Sequence, residues 1–487
     1  MTQTDGTRVR RAGGLPEGTR VVADPRVRLH GDVVLGGSPW GVARLAPAAS
    51  ALLRRAAGAG TVPDGPAERA AADLLVERGV LHPVVTPRPS RVEVVVPAYG
   101  RPDLLDACLA ALVASSPADE VTVVDDASPD DDVAPVAGRH GVRYLRLPHN
   151  GGPAAARNAG VAAATGDVVA FVDADVTVPP GWLDALLPLF DDPRVGAVAP
   201  RVLPRSAGDG LLARHELARS ALDMGARREL VRHGAPLGFL PSATLLVRRA
   251  ATTGFDEALR LGEDVDLVWR LLADGWHVRY EPTVRVHHEM RLVPAEWARR
   301  RFEYGTSAVA LDVRHPGRLA PARLSGWNLA AAGLALAGRP RAGGAVAAAA
   351  TAALAYRLRQ ARVDPVLAPR VVGMGLLADG AALGHALRRE WWPLGWTALA
   401  ASAAGASSGR RRLARAATAA MLVPVALEWV RNRPQVDPLR YALLRLAEDA
   451  AYGSGVLSSA TRARSARVVV PEIRLPNLPT RARVPRP

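Results

Sequence analysis

The chain contains no lysine, so its whole basic complement is arginine. It has a single cysteine, Cys108, which excludes an internal disulfide and a thiolate metal cluster. Set among Leu104, Leu105, Leu109 and Leu112, that cysteine reads as a core residue, compatible with a reducing compartment. Aromatic residues make up only 5%, and no zinc-finger, RRM or basic-zipper spacing occurs. The net charge of +15 and the pI of about 11.1 therefore do not point to nucleic acid. Arginine as the only long cation, in an Ala-, Gly- and Pro-rich chain, is what a GC-rich genome produces. The physical readings left for the charge are an anionic membrane face or an anionic substrate. Residues 1–20 are polar and carry no apolar stretch, so no signal peptide is expected.

What is present is apolar bulk. With 487 residues, 49% of them hydrophobic, two or three domains are expected. Three regions differ in composition. In residues 20–85, Arg26 to Leu29 and Gly31 to Leu35 read as short strands around a turn. Leu45 to Ala57 and Ala67 to Val80 read as helices, the second ending at Gly79. Pro83, Pro87 and Pro89 then mark a linker. Residues 91–315 alternate buried strands (Val92 to Val96, Val121 to Val124, Val142 to Leu147, Val168 to Val172) with helices (Leu104 to Val113, Ala154 to Ala164). That rhythm predicts a mainly parallel sheet flanked by helices, with ligands at the carboxyl ends of its strands. Residues 320–460 are Ala- and Arg-rich and predict helices; 461–487 read as an extended tail.

In the third region, the run Trp391 to Gly409 carries no charge, between Arg388-Arg389 and Arg410-Arg411-Arg412. A span needs about 20 apolar residues. This run is only weakly apolar, and arginine on both flanks removes the bias that would orient a span. Association with a membrane surface, spanning, and a soluble helical domain all remain open. Trp391, Trp392 and Trp396 suit an interface.

The chemistry sits at the strand ends. Asp173-Ala174-Asp175 ends the strand Val168 to Val172, and carboxylates at i and i+2 lie on one face, ~6–7 Å apart. A divalent cation such as Mn²⁺ or Mg²⁺ relieves their repulsion while keeping positions open for phosphates; helix capping is the plain alternative. The first strand breaks at Pro97-Ala98-Tyr99, ahead of Arg101-Pro102. The second ends in Asp125-Asp126-Ala127-Ser128, where a carboxylate can take the N–H of a base or the hydroxyls of ribose, or Ser128 can cap a helix. Asn150-Gly151-Gly152 opens the helix that carries Arg157 and Asn158. Its glycines admit close approach of a ligand, and its N-terminus and Arg157 suit an anion. Gly262-Glu263-Asp264 opens an amphipathic helix, as first-turn capping or as a general base.

In this order, the motifs resemble those of the family 2 glycosyltransferases, whose fold is the α/β GT-A type. The resemblance covers about 200 residues. It implies that Pro97, Ala98, Tyr99, Asp125, Asp126, Asn150, Gly151, Arg157, Asp173 and Ala174 bind the nucleotide sugar, with Asp126 on the uracil. It implies that Asp173 and Asp175 hold Mn²⁺ or Mg²⁺, with Asp175 the more direct ligand, and that Asp264, beside Glu263, is the catalytic base. Some members add a histidine after the last core strand, where His287 and His288 stand; His288 is favoured. The chemistry implied is inverting transfer of a hexose, glucose from UDP-glucose first, to a hydroxyl. Rhamnosyl or galactofuranosyl transfer in cell-envelope assembly is the other enzymatic reading, and an inactive peptide-binding scaffold the non-enzymatic one. No Gln-X-X-Arg-Trp motif of processive synthases occurs; Trp297 to Gly305 stands near its place and differs.

Residues 20–85 also resemble the small winged-helix-like PqqD-type domains, which hold a precursor peptide for a modifying enzyme; packing or a lid is the alternative. The partners implied are a nucleotide-sugar donor and a small peptide-derived or glycosylated acceptor. The location implied is the cytoplasm, at the inner face of the cell membrane.

Overall fold

The computed structural model describes residues 14–84, 91–205, 208–290, 292–360, 363–403 and 408–474. Most of the Pro-rich linker, and the tail beyond Arg474, lie outside them. The chain forms two compact units, Met1–Met290 and Arg291–Pro487.

The first unit opens with a small α+β domain. Strand β1 (Arg20–Ala23) is followed by β2 (Arg28–His30), β3 (Val33–Gly36) and β4 (Gly41–Arg44), then helices α1 (Pro47–Arg55) and α2 (Gly65–Glu77), and β5 (Leu81–Val84). β2, β3 and β4 form an antiparallel sheet, and β1 pairs with β5. Leu52, Leu53, Leu75, Val76 and Leu81 make its core. The hairpin and both helices fall where the sequence places them. The sequence does not announce the β1–β5 pair, since β5 begins two residues after Gly79 and contains Pro83, which argues against a strand except at an edge.

The α/β core follows: β6 (Val92–Ala98), α3 (Pro102–Val113), β7 (Val121–Asp125), α4 (Val133–Arg139), β8 (Arg143–Arg146), α5 (Pro153–Ala163), β9 (Val168–Val172), β10 (Val176–Thr177), α6 (Trp182–Leu186), β11 (Val195–Pro204), α7 (Leu211–Ala218), β12 (Glu229–Val231), β13 (Thr244–Arg248), α8 (Glu263–Ala273) and β14 (His277–His288). The strand order is β10-β14-β11-β13-β9-β6-β7-β8, with β12 added against β14. β9, β6, β7 and β8 run parallel, as expected. The other half is mixed, because β13 is antiparallel to both β9 and β11. Valines of β6, β7 and β9 and the apolar face of α3, Cys108 included, form the main core.

In the second unit, α9 (Pro294–Thr306), α10 (Ala308–Arg314), β15 (Arg323–Ser325), α11 (Gly326–Leu336), α12 (Pro340–Gln360), α13 (Ala368–Arg388), α14 (Trp392–Ala403), α15 (Ser408–Asn432) and α16 (Pro438–Arg462) precede β16 (Glu472–Arg474), which pairs with β15. α9 crosses α16 where Gly305 faces Gly455; a Cβ on Gly455 would lie 2.0 Å from the Phe302 carbonyl, so only glycine fits. Arg388 and Arg445 are buried and paired, Arg388 with Asp449 at 2.8 Å and Arg445 with Glu448 at 2.8 Å. The residues after Thr461 do not simply trail: Val468 is buried, and Trp391 donates to the Val469 carbonyl at 2.8 Å. Within the uncharged run from Trp391, the described residues form α14, Trp392–Ala403. Among the described residues, the two helices long and apolar enough to cross a membrane are elsewhere, Pro365–Arg388 and Gly409–Asn432.

Candidate active site

Five buried apolar residues hold β9 in the sheet, and the chain leaves it at Asp173, whose N–H donates to the Ala243 carbonyl at 3.0 Å. Asp173, Ala174 and Asp175 are half-buried. β14 ends beside them. Its Val284 and Val286 are buried and Thr283, Arg285 and His287 exposed, so the two-residue period turns His288 inward and His287 out. β10 pairs with this end, Val176 opposite His288, and Glu289 N–H donates to the Asp175 carbonyl at 3.0 Å. His288 Nε2 thus stands 3.3 Å from Asp175 Oδ1, the histidine the sequence favoured. Arg101 Nη1 lies 3.6 Å from Asp175 Oδ2.

Among the described residues, no three His, Cys, Asp or Glu side chains converge as a ready-made metal centre. A carboxylate with an adjacent imidazole is nonetheless a donor set that Mn²⁺ accepts, and a cation at a phosphate site takes few protein ligands because the phosphates complete the shell. The residues present fit such an ion with Asp175 and His288 as the protein ligands.

Asp173 is committed elsewhere. Arg157, on the second turn of α5, is buried; its Nη2 donates to Asp173 Oδ1 at 2.7 Å and its Nη1 to Glu263 Oε1 at 2.9 Å. Phe255 lies 5.3 Å from the guanidinium and packs edge-on against Phe171. The two carboxylates hold Arg157 charged despite its burial. The sequence placed Arg157 against the nucleotide. Buried, with both terminal nitrogens on carboxylates, it ties the end of β9 to the start of α8.

Glu263 and Asp264 open α8 behind Gly262, at φ +81. Asp264 is enclosed but reaches solvent, and its Oδ1 accepts from its neighbour Val265 N–H at 2.8 Å, its Oδ2 from Ser242 N–H at 3.3 Å. Burial and the adjacent Glu263 carboxylate raise its carboxyl from 3.8 to about 7. A carboxylate poised near neutral pH is what a general base requires.

Asp126 and Asp125 divide their work. Asp126 accepts from Gly151 N–H and Gly152 N–H, both at 2.8 Å, and so fixes the Asn150-Gly151 loop. Asp125 is fully buried and takes Ser128 N–H, Ser128 Oγ, Tyr144 Oη and Arg146 Nη1, at 2.6–2.9 Å. These donors hold its carboxyl below the ordinary range against the opposing effect of burial. Its role is to knit the loops, since Ser128 Oγ also accepts from Gly100 N–H at 2.8 Å. The sequence grouped Asp125 with the nucleotide ligands, and the structure leaves it no open face. Pro97 is half-buried, Ala98 buried, and Tyr99 and Asn150 exposed at the strand ends. Arg101 and Ala127, at φ 58 and 55, adopt the left-handed conformation disfavoured outside glycine, each just past a strand of the site.

Sequence reading assigned no role to Ser242 or Arg101. A backbone N–H leaves no signature in sequence, and Arg101 was visible only as the residue before a proline.

A model of the family described as Glycosyl transferase family 2 matches residues 93–253. Two proteins named pre-mycofactocin glycosyltransferase, from Mycobacterium tuberculosis strains CDC 1551 and H37Rv, are each 38% identical over 479 residues, covering 94% of this chain and 99% of their own. The succinoglycan biosynthesis protein ExoO of Rhizobium meliloti is 35% identical over 213 residues, 41% of this chain and 61% of its own. Among solved structures, the mannosyltransferase PcManGT from Pyrobaculum calidifontis is 19% identical with a TM-score of 0.41, covering 75% of this chain and 88% of that one.

Proposed function

Because the chain belongs to glycosyl transferase family 2, we propose that it is an inverting hexosyltransferase moving glucose from UDP-glucose to a hydroxyl of premycofactocin, a small peptide-derived redox cofactor precursor. The observation that carries the chemistry is Asp264, a carboxyl raised to about 7 at the mouth of α8. The choice of acceptor is supported by the 38% identity, along nearly the whole length, to proteins named for that substrate.

In this reading the acceptor oxygen attacks the anomeric carbon while Asp264 takes its proton. The bond from that carbon to the diphosphate oxygen breaks, so an α-linked donor gives a β-linked product. Mn²⁺ or Mg²⁺, held by Asp175 and His288 beside Asp173, supplies Lewis-acid stabilisation of the departing diphosphate when bound. Pro97, Ala98 and Tyr99 border the nucleotide, Asp126 and the Asn150-Gly151 loop receive its base, and Ala174 lies along the donor. Arg157 and Glu263 hold Asp173 and Asp264 in place.

We place the enzyme in the cytoplasm, at the inner membrane face. The apolar windows of Pro365–Arg388 and Gly409–Asn432 are only 6% and 17% buried, with Leu377, Leu413 and Leu427 exposed. Arg410, Arg411, Arg412 and Arg415 stand on the second helix, a combination suited to an anionic lipid surface.

Mass spectrometry of premycofactocin incubated with UDP-glucose and Mn²⁺, beside an EDTA control, tests the proposal. Metal-dependent mass steps of one hexose are expected. UDP binding without product sends the search to rhamnosyl or galactofuranosyl donors and other acceptors. Neither binding nor product overturns the enzymatic reading in favour of a peptide-binding scaffold.

A further inference from the structure

The small N-terminal domain meets the catalytic core mainly along one short stretch, with a separate ion pair from Asp73 to Arg194 ahead of β11 at 3.2 Å, and that stretch leads to the base. The Arg26 guanidinium grips the Glu229 carboxylate through both terminal nitrogens, Nη2 to Oε2 at 2.9 Å, while its Nε and Nη2 also reach Asp24 at 3.0 and 2.9 Å. Asp24 is braced in turn by His82 Nε2 at 3.1 Å. Next along, Ser38 Oγ donates to the Leu230 carbonyl at 3.1 Å, with both residues buried. Two residues on, Arg232 donates to the Glu77 carbonyl. Glu229, Leu230 and Val231 constitute β12, fixed antiparallel on β14.

The chain then turns tightly, Arg232 N–H donating to the Leu237 carbonyl at 3.1 Å. The Gly238 carbonyl takes the indole N–H of Trp269, on α8, at 2.9 Å. Leu240 and Ser242 are buried. Ser242 N–H donates to Asp264, and the Ala243 carbonyl accepts from Asp173 N–H. One segment of fifteen residues, Glu229–Ala243, therefore carries these contacts in turn: the N-terminal domain first, the helix of the base second, the base itself third, the Asp173 backbone last.

Resting on the reading of Asp264 as the base, we propose that Arg26, Ser38 and Glu229 are positioning residues: docking of the N-terminal domain sets the Glu229–Ala243 segment, and that segment sets Asp264. The domain is then part of the transferase machinery, whatever acceptor it also receives. The long 3.3 Å reach from Ser242 N–H to Asp264 is the contact most sensitive to a shift of the segment. Displacement of a catalytic group by about 1 Å costs roughly a hundredfold in rate.

The test is a kinetic cycle on the full-length enzyme with UDP-glucose, or whichever donor the wild type turns over; a wild type without product would sink the functional reading before any variant is made. Arg26→Ala is expected to lower kcat roughly ten- to a hundredfold, with UDP affinity and acceptor KM within about threefold. Added to Asp264→Asn, it is expected to cause no further loss, because both act through one group. Ser38→Ala, which removes a single hydrogen bond, is expected to show the same pattern more weakly and decides the matter if Arg26→Ala fails to bind UDP. An unchanged kcat, a loss confined to acceptor KM, or a loss fully additive with Asp264→Asn overturns the proposal.

Discussion

Replacing Asp264 by asparagine separates its catalytic use from its structural cost. A base whose carboxyl lies at about 7 is nearly all ionised at pH 8 and about one-tenth ionised at pH 6. Wild-type transfer at subsaturating donor should therefore fall about tenfold between those pH values. Asp264→Asn should lose about 10²- to 10⁴-fold in kcat and lose that acid limb with it. Stability should move the other way. A folded-state carboxyl raised above its unfolded value binds its proton more tightly when folded, so its contribution is present below about pH 4 and is lost as pH rises through about 7. The distance from 3.8 to about 7 corresponds to at most roughly 4 kcal/mol at pH 8, the enclosed site still being in touch with water. Asparagine keeps one oxygen for the close Val265 N–H and turns its amide toward the distant Ser242 N–H, an offset of about 1 kcal/mol. The variant should thus unfold at higher temperature than wild type at pH 8, with the difference vanishing near pH 4. Thermal melts across pH, paired with initial rates, measure both. A variant that transfers within a few-fold of wild type, or that melts lower than wild type at pH 8, refutes the reasoning.

Asp175→Asn and His288→Ala should each weaken UDP-glucose binding in Mn²⁺ by calorimetry and leave binding in EDTA alone, whereas His287→Ala, on the outer face of β14, should change neither. Arg157→Met strands two carboxylates around a buried site and should cost about 3–5 kcal/mol in denaturant unfolding, with Arg157→Lys recovering part of it; a loss below 1 kcal/mol would remove Arg157 from its place as the tie. The protein should float with vesicles containing phosphatidylglycerol and be released by high salt, and Leu413→Glu with Leu427→Glu should abolish flotation. Recovery in the soluble fraction at low salt would exclude the membrane surface as its partner.

The half of the sheet that carries the candidate site was legible because β6, β7 and β9 are largely apolar. β7 and β9 break into acidic residues at the carboxyl end and β6 breaks at Pro97, the pattern of parallel strands buried on both faces. β12 and β13 were not legible. A three-residue strand containing a glutamate has no period to read, and nothing local marks β13 as antiparallel. The candidate acids were all visible as residue types, yet their division of labour was not. Asp125 and Asp126 are neighbours in sequence and opposite in use, because the donors that saturate Asp125 come from β8 and the 128 turn, while those on Asp126 come from the glycine loop.

The same logic bears on Arg157, which the sequence sets against the nucleotide. An arginine after a glycine-rich helix start has the chemistry to hold a diphosphate, and only the tertiary structure supplies the two carboxylates that claim it first. Those carboxylates sit at the ends of elements far apart in the chain, Asp173 after β9 and Glu263 on α8. Each would repel its acidic neighbour, Asp175 or Asp264. Pairing one member of each acidic couple with a buried cation leaves the other to different partners: Asp175 beside His288 and Arg101, and Asp264 raised toward neutrality. A single guanidinium thus engages one acid of each pair, a role that suits the fork of an arginine and that a lysine's point charge cannot fully reproduce.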